Sequence, residues 1–295
     1  MKIKDFTFAD ATRALPVRDE CGNKGAFGTL LAVCGSAEFR GAAVLAVMAA
    51  LRCGTGIVRL AAPERVISAC AAQVCECTFL PLPEAAGFSH LPADAIDAIL
   101  AAAGRSSAVL AGCGLGNCAR TRSIIEAVAG AETRLPVLLD ADALNSLEGD
   151  ISPLVRLGER AVITPHVGEF SRLTGIPISD IKEKPAKIAA EFAKSAGCVV
   201  VLKDFITHVA SPGGEALRCG SPNSGLAKGG SGDVLAGIIA SLLAQGLPPM
   251  LAAAAGCAIH SEAGARAAKR LSKRAMLPSD IISELPGIFL EAERQ

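Results

Sequence analysis

The run Asn223-Ser224-Gly225-Leu226-Ala227-Lys228-Gly229-Gly230-Ser231-Gly232-Asp233-Val234-Leu235-Ala236-Gly237 crowds small residues into a turn where an apolar helix begins. The first N–H groups of a helix have no partner within it and carry partial positive charge, so they can surround an anion. Gly229, Gly230 and Gly232 remove side chains that would keep phosphate oxygens away from those donors. Asp233 falls in the first helical turn, at the anion's edge. A carboxylate there repels phosphate, unless its task is to accept a proton from the group that attacks phosphorus. A plainer alternative stays open, an acidic residue stabilising a helix N-terminus behind a flexible loop. Neither a Walker A sequence nor G-x-G-x-x-G occurs in this run.

Other segment ends carry similar residues. Gly112-Cys113-Gly114-Leu115-Gly116 lacks the third glycine of a dinucleotide fingerprint, so close approach of a ligand or another loop is the safer reading. Val162 to Phe170 reads as strand, break and helix start, with Thr164 able to cap and Pro165 able to enter the first turn. His166 then stands at the sheet's carboxyl edge, either donating a hydrogen bond to a ligand or simply solvated. Leu138 to Asn145 repeats the design. Asp142 is a plausible N-cap there, whereas Asp140 ends a buried strand and either orients waters around a cation or holds a loop. Lys24-Gly25-Ala26-Phe27-Gly28 precedes one strand, and Cys34-Gly35-Ser36 and Arg40-Gly41-Ala42-Ala43 follow it. Lys203-Asp204 closes another strand, where a nucleotide could lie along the backbone. Together these ends favour an active-site crevice over a binding scaffold.

The elements that must position them alternate. Thr29–Cys34, Gly56–Ala61, Ala108–Ala111, Val137–Asp140, Ala161–Thr164 and Cys198–Lys203 are apolar nearly throughout, as strands buried on both faces require. Helical patterns at 41–53, 119–129, 166–174 and 185–197 lie between them. This is the βαβ rhythm of a parallel sheet covered on both sides. Ile206–Ala210 and Ala216–Cys219, separated by Ser211-Pro212-Gly213-Gly214, read as a hairpin. Helices at about 231–245, 249–269 and 279–292 follow. The expectation is one α/β domain over 1–295, with ligands beyond the strands' carboxyl ends.

The composition excludes several classes. Among 295 residues, 29 Lys+Arg balance 29 Asp+Glu, and neither Trp nor Tyr occurs, which argues against a nucleic-acid partner. The apolar run at 42–51 is about half of what a membrane-spanning helix needs. The charged N-terminus has no signal-peptide core. Eleven cysteines scattered through apolar segments read as reduced core residues of a soluble cytoplasmic protein. Cys75-Glu76-Cys77 lacks zinc-site spacing, and no metal-ligand set emerges.

The motifs, in order, resemble the ADP/ATP-dependent NAD(P)H-hydrate dehydratases, a branch of the ribokinase-like fold. The resemblance runs from about Leu15 to Pro286. It is carried by Lys24-Gly25, Gly28, Gly41-Ala42-Ala43, Gly112 to Gly116, Asp140 to Leu144, Thr164-Pro165-His166, Gly168-Glu169, Val201-Leu202-Lys203, Gly229 to Asp233 and Ser279-Asp280-Ile281. It implies ribokinase-like architecture, a mostly parallel sheet with helices on both faces. It also implies repair of NADH or NADPH hydrated at C6 of the nicotinamide ring, by phosphorylation of that hydroxyl and loss of phosphate. By the same resemblance Asp233 is the catalytic base, and the amides of Gly230, Ser231 and Gly232 form the anion hole. Ala42, Gly116, His166 and Asp233 contact the hydrated cofactor. Lys203, Asp204, Phe205, Ile206 and Thr207, with Gly232, hold ADP or ATP, and Mg2+ accompanies the nucleotide. A homotetramer is implied too. Two departures bear on nucleotide preference: Asp204 stands where the family has Gly, and Gly220-Ser221-Pro222-Asn223 replaces an Asn-x-Thr-Gly-Asn run. The rival readings are a kinase for a small vitamin-precursor alcohol, of hydroxymethylpyrimidine or hydroxyethylthiazole type, and a silent nucleotide sensor.

Overall fold

A computed structural model describes residues 3–83 and 92–294. Ten strands form one sheet: β1 (Lys4–Phe6), β2 (Thr29–Val33), β3 (Ile57–Pro63), β4 (Thr78–Leu82), β5 (Ala108–Ala111), β6 (Val137–Leu139), β7 (Ala161–Ile163), β8 (Val199–Leu202), β9 (Thr207–Ala210) and β10 (Ala216–Cys219). Their spatial order is β1-β10-β9-β8-β7-β6-β5-β2-β3-β4. Every pairing is parallel except those of β9, which runs antiparallel to both β8 and β10. From β2 the chain moves outward to β3 and β4, then returns to the other side of β2 for β5. The order therefore reverses between β2 and β5, and a crevice opens beyond the carboxyl ends of such a pair.

Side chains alternate between two cores. Leu30, Ala32 and Cys34 face one, under the helices Arg40–Arg52, Glu64–Ala71, Ser231–Ala244, Pro249–Leu271 and Pro278–Ala292. Leu31 and Val33 face the other, under the helices Ala93–Ala103, Ala119–Gly130, Val167–Thr174 and Pro185–Ala196. Both faces of the central strands exclude water, so those strands read as unbroken apolar runs. Small residues let the first layer pack closely. A Cβ added at Gly237 would lie 2.3 Å from the Ala46 carbonyl oxygen, which brings the helix Ser231–Ala244 hard against Arg40–Arg52. All eleven cysteines are free, eight of them buried. Among the described residues no helix is long and apolar enough to cross a membrane.

The six expected core strands and the hairpin are present with small shifts at their ends. The pattern reading did not assign β1, β4 or the helices Phe8–Ala14, Glu64–Ala71 and Ala93–Ala103.

Candidate active site

Residues just past β5, β6 and β8 meet the N-terminal turn of the helix Ser231–Ala244: Cys113 and Asp140 lie beside Asp233, and Lys203 Nζ lies beside Gly232. Gly112, just past β5, runs so close to the chain after β6 that a Cβ would lie 1.8 Å from the Asp140 carbonyl oxygen. The Gly35 N–H donates to the Cys113 carbonyl at 2.8 Å and closes the gap between β2 and β5. Gly114 lies against Phe39 and Ala42, where a Cβ would come within 2.7 and 2.8 Å of their β-carbons. The next glycine, Gly116, donates its N–H to Asp142 Oδ2 at 2.8 Å and accepts from Thr121 Oγ1 at 2.6 Å. Ala42 and Gly116 thus border one mouth of the crevice.

Asp140 and Asp142 flank Ala141, which adopts φ 50° and ψ −113°. Such a conformation costs a non-glycine residue about 1–3 kcal/mol and persists only where the surroundings enforce it. The expected cap at Asp142 is corrected: Ala141 holds the N-cap position, and Asp142 instead fixes the Gly116 loop. Of the two readings for Asp140, the structure supports the holding one. Its Oδ1 accepts from Thr164 Oγ1 at 2.6 Å and from Lys203 Nζ at 3.0 Å, and Cys113 Sγ lies 3.7 Å from Oδ2.

That bond explains a second correction. Thr164 does not cap the next helix, because its hydroxyl is committed to Asp140. Nor does Pro165 enter the first turn, since the helix starts at Val167. His166 is the cap. Its Nδ1 accepts from the Gly168 and Glu169 amides at 3.0 and 3.2 Å, while Glu169 Oε2 accepts the His166 N–H at 2.8 Å. An Nδ1 that accepts carries no proton, so the proton of the neutral ring sits on Nε2 as a donor. Burial lowers the His166 pKa against the pull of Glu169, and Lys203 and Arg172 lower it further.

Asp233 faces the same cluster: one ligand atom each of Cys113, Asp140 and Asp233 lies within 4.8 Å of the others. Burial, then the negative charge of Asp140, raises the Asp233 pKa to about 6, with Cys113 and Lys203 pulling the other way. A hydrogen bond with Cys34, burial and the neighbouring carboxylates hold the Cys113 thiol protonated. Lys203 is a firm cation. Burial would lower its pKa, but Asp140 and Glu169 outweigh it and raise the value.

The glycine turn ends at Gly230, whose φ of 101° and closeness to Leu45 and Pro278 leave no place for a side chain. The Ser231 N–H donates to the Lys228 carbonyl at 3.2 Å, and that of Val234 to the Gly230 carbonyl at 3.1 Å. Among the described residues the amides of Gly230, Gly232 and Asp233 have no backbone acceptor outside the helix. Ser231 Oγ is buried without a partner, as is His260 Nε2. Lys228 fastens the turn from behind, donating to the Arg274 and Met276 carbonyls at 2.8 and 2.6 Å.

Lys203 to Thr207 forms the other mouth. The Lys203 N–H donates to the Pro165 carbonyl at 2.8 Å, but its side chain leaves the stretch for Asp140. Asp204 and Phe205 are exposed, Phe205 by 70%, while Ile206 and Thr207 lead into β9. A cleft of about 510 Å³ opens beside them, lined by Phe6, Phe8, Ile206, Gly220, Ser221 and Ser261. A larger hollow of about 660 Å³, between Arg172, Ile188 and Phe192, contains none of the expected site residues. Sequence reasoning missed the Cys113 thiol, the partners of Asp140, the stapling by Lys228 and the buried His260. Cys113 between two glycines at a strand end, and a lone His in an alanine-rich helix, were the available signals.

These donors do not build a cage for Mg2+, which takes near-octahedral oxygen ligands. Both oxygens of Asp140 already face protein donors, Asp142 and Glu169 hold backbone amides, and a thiol completes the cluster.

A mostly parallel sheet with one antiparallel hairpin, and a glycine turn that presents a helix N-terminus and a carboxylate, define the ribokinase-like fold. Within that class, the profile of the NAD(P)H-hydrate dehydratase family matches residues 30–287, and the chain belongs to this family. The ADP-dependent (S)-NAD(P)H-hydrate dehydratase of Neisseria meningitidis is 39% identical over 248 residues, covering 83% of this chain and 79% of that one. The bifunctional NAD(P)H-hydrate repair enzyme Nnr of Moorella thermoacetica is 37% identical over 290 residues, 98% of this chain and 54% of its own length. The chain thus spans about half of such bifunctional relatives. The crystal structure of the ADP/ATP-dependent NAD(P)H-hydrate dehydratase of Bacillus subtilis, co-crystallised with ATP/Mg2+, superposes with a TM-score of 0.81 at 28% identity over 99% of each chain.

Proposed function

We propose that this chain, acting as one ribokinase-like domain, dehydrates the S form of NADH or NADPH hydrate at the expense of ADP or ATP. The observation that carries this is Asp233, a half-buried carboxylate in the first turn of the helix Ser231–Ala244, set beside Asp140 and Cys113 and with raised proton affinity. Hydroxide is a poor leaving group and phosphate a good one. Asp233 takes the proton of the C6 hydroxyl as its oxygen attacks the terminal phosphorus, and the nucleotide departs one phosphate shorter. Phosphate then leaves C6 with the C–O electron pair, and loss of a proton from C5 restores the dihydropyridine.

Ala42, Gly116 and His166 hold the hydrated ring beside Asp233, with His166 Nε2–H as a donor. The amides of Gly230, Ser231 and Gly232 stabilise the transferring phosphoryl group. For Ser231 this means exchanging the Lys228 carbonyl for a phosphoryl oxygen. Lys203 to Thr207 and Gly232 hold the adenine nucleotide. Mg2+ would arrive on the nucleotide's phosphates, and no step above depends on it. A cytoplasmic location is supported by the eleven free cysteines, and a homotetramer by the family resemblance.

The test is incubation with hydrated NADH and either nucleotide, following the near-ultraviolet absorbance of the dihydropyridine. Recovery with stoichiometric release of phosphate supports the reading. Phosphorylation of a vitamin-precursor alcohol without recovery makes the protein a kinase instead, and nucleotide binding without turnover makes it a sensor.

A further inference from the structure

Asp140 is 2% exposed, the most enclosed carboxylate among the described residues, and the chemistry above gives it no task. A buried charge survives only when it is paired and hydrogen-bonded. Thr164 and Lys203 supply this on Oδ1. The other end of the pair is the telling one. A Cβ at Gly232 would lie 3.4 Å from Lys203 Nζ, so the ammonium rests against the first turn of the helix Ser231–Ala244. That end of a helix is itself positive, and a cation gains nothing there on its own. Such a placement makes sense where an anion will join the two. The unpartnered Oγ of Ser231, a residue 6% exposed in the same turn, points to the same missing oxygen.

We propose that Asp140 is a positioning residue: it fixes the Lys203 ammonium at the N-terminal turn of the helix Ser231–Ala244, where the transferred phosphoryl group lies, and sets its own negative charge against Asp233. The proposal rests on the reading of this crevice as a phosphoryl-transfer site. Lys203 then neutralises charge spread over the phosphoryl oxygens without moving. Asp140 keeps Asp233 avid enough for a proton to act as base, where Lys203 alone would weaken it. The charged and titratable groups facing Asp233 are Asp140, Asp142, Lys203 and Cys113. The buried faces of the helices packed on its own, Arg40–Arg52, Pro249–Leu271 and Pro278–Ala292, are apolar apart from Cys257 and His260.

Two measurements test this. In the ligand-free protein, the side-chain carboxyl carbon of Asp233 is titrated by NMR in wild type, Asp140→Asn and Lys203→Met. The midpoint should fall by about one pH unit in the first variant and rise by about as much in the second. In turnover with hydrated NADH and ATP, each variant should lose about 100-fold or more in kcat, with the acid limb displaced in those opposite directions. Thr164→Val, which keeps every charge but frees Asp140, should lose about tenfold, and Thr164→Ser should restore it. Equal midpoints in the three proteins, or a lowered Tm with unchanged kcat, would overturn the proposal. If wild type fails to restore NADH, the reading of the reaction falls, while the titration still decides the role of Asp140.

Discussion

The two mouths of the crevice are built differently. On the side proposed for the hydrated ring, each residue is tied down: Gly116 to Asp142, His166 to two amides of its own helix, and Ala42 against Gly114. On the side proposed for the nucleotide, Asp204 and Phe205 stand in solvent, with no side-chain hydrogen bond to any of the described residues. Preorganised groups bind with less ordering cost and discriminate better than mobile ones. The contrast suits the proposed function, in which one damaged ring is recognised and either ADP or ATP serves as phosphate donor.

Asp233 sits where the mouths meet, and its removal should have the largest effect. Asp233→Asn should reduce kcat about a thousandfold while nucleotide affinity, measured by calorimetry, stays close to wild type. The same substitution should stabilise the fold. A carboxyl whose pKa is about 6 in the folded state and about 4 unfolded favours folding fully below pH 4 and loses that contribution as pH rises through 6. Thermal denaturation at pH 8 should therefore show Asp233→Asn more stable by about 2–3 kcal/mol. An unchanged Tm would mean that the charge is well solvated.

The pH profile sharpens the same point. Because the base must be ionised, kcat/KM should fall as pH drops through about 6, the Asp233 value. An acid limb near 4 would place the proton acceptor elsewhere.

The next largest effect should separate the mouths. His166→Ala removes the proposed ligand donor and an observed helix cap, so KM for hydrated NADH should rise about tenfold and stability should fall by about 1 kcal/mol. KM for the nucleotide should not change, and a parallel rise in both constants would erase the distinction drawn here. The smallest effect is expected at Phe205. Phe205→Ala should alter nucleotide KM by less than about threefold, since the exposed ring has little packing to lose. A tenfold rise would show that this side also closes on its ligand.

Much of this was legible from residue pattern. The central strands announced themselves because both faces are buried, and the glycine turn through its run of small residues, of which Gly230 is required by Leu45 and Pro278. Edge elements were silent. β4 is only partly buried and carries Pro81, and β1 is three residues long with two of them charged. Within the site, Asp233, His166 and Lys203 could be picked out by position. What each does locally could not. The Asp140–Lys203 contact joins residues 63 apart, and it decides which way both side chains turn. A threonine before a helix reads as its cap, but Thr164 is claimed by that carboxylate, and the histidine two residues on takes over.

The staple from Lys228 to the carbonyls of Arg274 and Met276 reaches beyond local geometry. The turn proposed to face phosphate is braced by a stretch lying past the long helix, where Gly225 is also wedged against Met276. Tags, truncations or crosslinks placed after Leu271 would thus detune chemistry at a distance while leaving the sheet sound. An engineer seeking a quiet attachment point should look to the opposite end of the strands.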